Sequence, residues 1–138
     1  MALLVAFVLL TFVTCSYAGW RGGGPERSVA ALFFCAVLAS AFAPAEPHQS
    51  VNWAVLYIDA AFFLGVTVIA LFSDRFWPIW IAALQLIALA SHGIRAYDAG
   101  ILPVVYRTMI TKLGYIMLAI LAVGAFRHYH RSADRNNS

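Results

Sequence analysis

Charged residues are scarce in this sequence. Of its 138 residues only six are acidic and nine are basic, whereas 63% are hydrophobic and the mean hydropathy is +0.83. A water-soluble domain carries about 25% charged residues and cannot bury this much apolar surface. The scarcity of charge therefore excludes an ordinary soluble domain. The basic residues are also scattered rather than gathered with aromatic residues in one patch, which argues against a nucleic-acid partner.

Cysteine and recognisable motifs are equally scarce. Cys15 and Cys35 lie in apolar stretches without a nearby cysteine, which excludes a disulfide framework and a zinc site, and we expect buried free thiols. His128 and His130 are two residues apart, whereas a helical metal site uses a spacing of about four. Because no catalytic, nucleotide or metal motif is present, we predict no catalytic residue, no metal and no cofactor.

Long apolar runs take up most of the chain. A helix of roughly 20 residues crosses a hydrocarbon core about 30 Å thick. The runs cover about residues 1–19, 28–43, 53–72, 76–95 and 102–126. We therefore predict an all-α, polytopic membrane protein, with one five-transmembrane-helix bundle over residues 1–127 and a basic cytoplasmic tail over residues 128–138.

Turn-forming residues separate these runs. Three glycines and a proline at 22–25 interrupt the first pair, and two further prolines separate the second run from the third. Ser50 or Asn52 is placed to cap the third span. The connector at 73–75 is so short that the third and fourth spans are expected to be antiparallel neighbours.

Basic residues alternate between the two sides of the bundle. One side has only Arg95, and the other holds six of the nine basic residues: Arg21, Arg27, Arg75, Arg127, Arg131 and Arg135. The positive-inside rule then predicts the N-terminus outside and the C-terminus in the cytoplasm. The predicted location is the cell membrane, multi-pass, and the inner membrane in a Gram-negative bacterium.

A rival interpretation treats the first span as a signal peptide. Ser16, Tyr17 and Ala18 fit the small-residue pattern of a cleavage site. The stretch has no basic segment at its start, however, and cleavage would leave Arg21 and Arg27 outside, against the charge rule. We therefore favour a retained first span.

Charged residues within the apolar runs define the candidate site. Charged side chains at membrane depth are costly, so their default interpretation is functional. Asp59 lies six residues into the third span and Lys112 lies fourteen residues before Phe126. Both are therefore about 9 Å below the outer surface at 1.5 Å per residue. If the third and fifth spans touch, we expect Asp59 and Lys112 to form an ion pair.

Other polar residues share this level, and Gln85 and His92 lie seven residues apart on the fourth span. We predict a shallow polar pocket, open to the outside and built by the third to fifth spans. Its members are Asp59, Gln85, His92, Arg95, Arg107, Thr111, Lys112 and Tyr115. Three roles stay open: hydrogen bonding between helices, a ligand or ion site, and proton or redox chemistry. For His92 the alternatives to a satisfied interface histidine are a pH sensor and a haem ligand.

Three functions are compatible with this pattern. The leading prediction is a small non-enzymatic inner-membrane protein, an accessory or assembly subunit that binds the lipid bilayer and other membrane helices or itself. The first alternative is a small oligomeric transporter or channel with an outward-facing polar site around Asp59 and Lys112. The second is a membrane enzyme or redox carrier that acts on a lipid or quinone, with Asp59 and His92 as acid or base. The short connectors and the lack of a catalytic constellation favour the first function.

Overall fold

The computed structural model describes residues 2–43, 51–97, 100 and 103–136, with the side chains of residues 2–4, 103, 104, 106 and 107 outside the description. These residues form an all-α structure, as predicted. Its helices are α1 (Ala2–Arg21), α2 (Gly24–Phe42), α3 (Trp53–Phe72), α4 (Trp77–Tyr97) and α5 (Pro103–Asn136).

Within the described residues, four helices are long and apolar enough to cross a membrane: α2, α3, α4 and the Thr108–Asn136 part of α5. A shorter apolar helix, Val5–Arg21, belongs to α1. These lengths and compositions are those of a small integral membrane protein. The crossing of the bilayer by α1 and the orientation of the two termini remain predictions from the sequence.

Capping side chains determine where α2 and α3 begin. The Glu26 carboxylate accepts a hydrogen bond from the Gly23 backbone nitrogen at 3.1 Å, and Pro25 occupies the first turn, so α2 begins before the predicted residue 28. The Asn52 side chain accepts from two backbone nitrogens of the first turn of α3, at 3.1 and 3.3 Å. Asn52 is therefore the cap, and the alternative cap, Ser50, lies outside the described residues.

The last helix is longer than its predicted span. The apolar run of α5 ends near residue 126, but the helix continues to Asn136. The described part of the predicted basic tail is thus a helical continuation of α5, and helical periodicity sets the directions of its arginines.

The helices form a ring in chain order. Each packs against the next, and α5 closes the ring against α1. The contact between α3 and α4 is the most extensive, as the short connector between them requires. We call the end of the bundle at which α1 begins the amino-terminal end, and the end towards which α5 runs the carboxyl-terminal end.

Buried apolar side chains fill the half of the ring towards the carboxyl-terminal end. Cys15 belongs to this core, whereas Cys35 is exposed, so the expectation of two buried thiols is correct for Cys15 and wrong for Cys35. All five helices contribute to the core through Cys15, Ala18, Val29, Ala30, Phe33, Phe62, Val66, Ile81, Met117, Leu118, Leu121 and Ala125.

Candidate functional site

Asp59 and His92 form a polar contact between α3 and α4. The Asp59 Oδ2 atom lies 2.9 Å from His92 Nε2. The His92 side chain is 2% exposed and that of Asp59 is 18% exposed. An ionised carboxylate only accepts hydrogen bonds, so the imidazole Nε2 donates to it. The histidine is thus enclosed, while the carboxylate keeps a partly open side.

Gln85 forms a second hydrogen bond between α4 and Asp59. Its Nε2 atom donates to the main-chain oxygen of Asp59 at 3.3 Å, and the side chain is almost completely buried. Gln85 and His92 are seven residues apart and lie on one face of α4, about two turns from each other. The polar stripe of α4 therefore converges on Asp59.

A cavity of about 300 Å³ lies beside Asp59. All five helices line it, and its contacts with the start of α1 and the end of α2 place it towards the amino-terminal end. Most of the wall is apolar, with aromatic rings from Phe7, Phe33 and Phe62. The polar members of the wall are Ser40, Asp59, Gln85 and Thr111.

Asp59 lines this cavity and has one carboxylate oxygen that His92 does not engage. Its Oδ2 atom is occupied by His92, and no other described residue donates to Oδ1. In an apolar wall a carboxylate oxygen interacts more strongly with a donor or a cation than it does in water. The arrangement therefore suits a mainly apolar molecule that presents one donor group to Asp59.

The predicted ion pair between Asp59 and Lys112 is wrong. Both residues lie in the described part of the chain, where Asp59 pairs with His92 instead and Lys112 is exposed on α5. Depth along a helix does not specify direction around it. Successive helical residues are turned by about 100°, so Thr111 lines the cavity while its neighbour Lys112 faces away from the bundle.

The other predicted members of the pocket are more dispersed. The half-buried Tyr115 packs its ring edge-on against Phe7, with ring centroids 5.2 Å apart. Arg95 is half-buried near the end of α4, and the side chain of Arg107 lies outside the described residues. The residues that the structure brings together at the cavity and its edge are Asp59, Gln85, His92 and Thr111.

The sequence did not predict the contributions of α1 and α2 to the cavity. Phe7 and Val8 from α1, and Ala36 and Ser40 from α2, complete its wall. None carries a charge, so a search for charges at membrane depth passes over them. The packing of α5 against α1, which brings Phe7 to the site, joins the two ends of the chain and has no local sequence signal.

A second buried polar cluster at the carboxyl-terminal end was also missed. Glu26 is completely buried, and its Oε1 atom has no hydrogen-bond partner among the described residues. A Cβ atom on Gly23 would lie 2.8 Å from Cε1 of His128, so any other residue here would require the His128 ring to shift. His128 Nδ1 in turn lies 3.1 Å from Arg75 Nη2. The run of three glycines was the available signal for a close contact.

The fold is a small helical bundle with the helix lengths and composition of an integral membrane protein, and it places an Asp–His pair beside a cavity between the helices. No protein-family model, curated protein or solved structure matches the chain. Among the residues that the structure describes, no group of three or more histidine, cysteine or acidic side chains could hold a metal ion.

Proposed function

We propose that this membrane protein binds a small, mainly apolar molecule within its helix bundle, with Asp59 as the polar contact. The observation that supports the proposal is the cavity lined by Asp59, whose carboxylate is bonded to His92 through one oxygen only. Its volume of about 300 Å³ lies at the lower end of the range of small-molecule sites, about 300–1,000 Å³. The favoured ligand carries one hydroxyl, amine or protonated nitrogen and is otherwise apolar.

The two contacts from α4 support a binding role for Asp59. His92 and Gln85 fix its carboxylate and its backbone, so the free oxygen is held in one direction before a ligand arrives. Such preorganisation reduces the entropic cost of binding. The transporter and the lipid enzyme would both begin by binding a ligand, and the proposal is limited to this shared step.

The test is to identify what the purified protein carries. Full-length protein is isolated in a mild detergent, and its small molecules are extracted and compared by mass spectrometry with those of Asp59→Asn. Asparagine preserves the size of the side chain and an acceptor for His92 but removes the charge. We expect a mainly apolar molecule with a donor group in stoichiometric amount in the wild type, and its loss in the variant.

Lys112→Met is the matched control, because it also removes one charge at membrane depth but lies away from the cavity. It should retain the molecule. Identical extracts from the wild type and Asp59→Asn, with both proteins folded by circular dichroism, would contradict the proposal.

A second candidate function, an accessory or assembly subunit, is favoured by the exposure of Lys112. This lysine lies in the apolar part of α5, faces outward, and forms no ion pair with another described residue. A charge in such a place is stabilised when its side chain reaches the headgroups or when a neighbouring helix supplies a carboxylate. The accessory role corresponds to the second arrangement, with an acidic residue on a helix of a different membrane protein.

Affinity isolation from native membranes tests the accessory role. We expect a stoichiometric membrane partner that is lost in Lys112→Met and retained in Lys112→Arg and Asp59→Asn. A self-oligomer with the same dependence on Lys112 would favour the oligomeric transporter. A monomer in every variant would contradict both assemblies.

A further inference from the structure

A second surface of the molecule has the properties of a binding site. A groove of about 560 Å³ runs between the connector after α3 and the outer side of α5. On α5 its wall extends from Ile116 to Arg131, which is about 22 Å at 1.5 Å per residue. We call it the arginine groove. It lies at the carboxyl-terminal end and shares no lining residue with the cavity beside Asp59.

Positive charge is concentrated at one end of this groove. Arg75, Arg127 and Arg131 line it together with one carboxylate, that of Asp74, so three positive groups face one negative group. Arg127 and Arg131 are four residues apart and therefore share one face of α5. Within the described residues neither forms an ion pair with a carboxylate. The groove thus has an excess of positive charge.

Arg75 is held in place by a neighbour. Its Nη2 atom lies 3.1 Å from Nδ1 of His128. A guanidinium group only donates, so Nδ1 accepts this hydrogen bond and the histidine ring is neutral in this contact. A neutral acceptor positions the arginine without cancelling its charge. His128 lies next to Arg127 on α5, so the connector and the helix are joined at the charged end of the groove.

The other end of the groove is apolar. Ile116, Ala119, Ile120 and Val123 form its wall, and Ile116 and Val123 are about half exposed on the outer surface of the bundle. Trp77 closes the groove from α4. Its indole Nε1 atom is buried and has no acceptor among the described residues. The groove therefore passes from an apolar surface in the apolar part of α5 to arginines beyond it.

We propose that the arginine groove binds an anionic phospholipid, with its phosphate between Arg75, Arg127 and Arg131 and an acyl chain along the apolar wall. Arginine presents several donors in a planar arrangement that fits phosphate oxygens. Arginines at a membrane surface attract anionic lipids electrostatically. The apolar half of the groove matches a lipid better than free phosphate, because free phosphate leaves that half unused.

The experiment uses full-length protein in an uncharged detergent, with bound lipid measured by native mass spectrometry. The probes are dioleoyl phosphatidylglycerol, dioleoyl phosphatidylcholine and inorganic phosphate. We expect the first to bind and to raise the thermal unfolding temperature. An equal response to phosphatidylcholine would overturn the assignment of charge recognition, and an equal response to inorganic phosphate would overturn the assignment of a lipid.

Two double variants locate the site. Arg127→Gln with Arg131→Gln removes two groove arginines, and each arginine at an anionic surface contributes about five-fold in affinity, so we expect roughly twenty-five-fold weaker binding of phosphatidylglycerol. Arg27→Gln with Arg135→Gln removes the same charge outside the groove and should bind as the wild type does. Equal weakening in both would reduce the effect to net charge and overturn the proposal. Should the first variant fail to fold, the discrimination between the three probes by the wild type still decides the outcome.

Discussion

His92 Nε2 lies 2.9 Å from Asp59 Oδ2, and this contact joins α4 to α3 within the apolar bundle. Gln85 bonds to the backbone of the same aspartate, so the two buried polar side chains of α4 both engage Asp59. The pair is at once a link between helices and the polar wall of a cavity. Its contribution to stability and its contribution to binding are separable by substitution.

The stability of the pair is tested by a double-mutant cycle. His92→Leu leaves the Asp59 carboxylate without its donor. Breaking a fully buried pair costs about 3–5 kcal/mol, and because the Asp59 side chain is 18% exposed we expect a loss below that range. Asp59→Leu combined with His92→Leu removes both polar groups and should be closer in stability to the wild type than His92→Leu alone. Unfolding by denaturing detergent, followed by circular dichroism, measures the difference. Losses that simply add would show that the two residues do not interact.

The bond from Gln85 is expected to contribute less. Hydrogen bonds between helices in a membrane protein contribute about 0.6 kcal/mol on average and at most about 1.7. Gln85→Met keeps the length of the side chain and removes only the bond to the Asp59 carbonyl. We therefore expect a small loss in the free energy of unfolding. A loss as large as that of His92→Leu would mean that Gln85 also positions the carboxylate itself.

The sequence predicts both ends of the third helix correctly, because neighbouring residues determine where it begins and ends. The span predicted at 53–72 coincides with α3, where Asn52 caps the first turn and a short connector follows the last. The start of α2 was placed too late because the glycines and proline at 22–25 were interpreted as a turn alone. Pro25 and Glu26 in fact form the first turn of the helix.

The sequence predicts which residues form the candidate site better than it predicts which of them contact each other. Asp59, Gln85 and His92 were all identified, and the short connector already made α4 the neighbour of α3. Charge and depth alone favour Lys112 as the partner of Asp59, but the helix that carries Lys112 is not a sequence neighbour of α3. The direction of a side chain around its helix depends on which helices close the ring, and that depends on packing of the whole chain.

The packing of α5 against α4 gives a steric prediction. A Cβ atom on Gly124 would lie 3.1 Å from ring atoms of Trp77, and this large ring would have to shift by a few tenths of an ångström to admit it. Overpacking of this kind costs about 1–3 kcal/mol, so Gly124→Ala should lower the stability. Gly93→Ala is the control, because no atom lies within 4 Å of its Cβ position. Since alanine favours a helix over glycine by about 1 kcal/mol, the control should be neutral or stabilising.

Unfolding by denaturing detergent, followed by circular dichroism, measures the stability of both variants. The comparison separates the effect of packing from that of helix propensity. Equal gains in stability would mean that Trp77 moves freely and that the contact with Gly124 is loose. An equal loss in both would instead point to a general requirement for glycine in these helices.

Glu26 gives the last prediction, because its two oxygens are in different situations. Oε2 accepts from the Gly23 backbone nitrogen at 3.1 Å, whereas Oε1 is buried without a partner among the described residues. Glu26→Gln keeps an oxygen for the cap and removes the charge, so its stability should equal or exceed that of the wild type. Glu26→Ala loses the cap, worth about 1 kcal/mol, and leaves a void in a completely buried place, so it should be clearly less stable. If Gln destabilised the protein as much as Ala, a positive group would have to face Oε1, and the cluster of Glu26, His128 and Arg75 would be an electrostatic network rather than a helix cap beside a close contact.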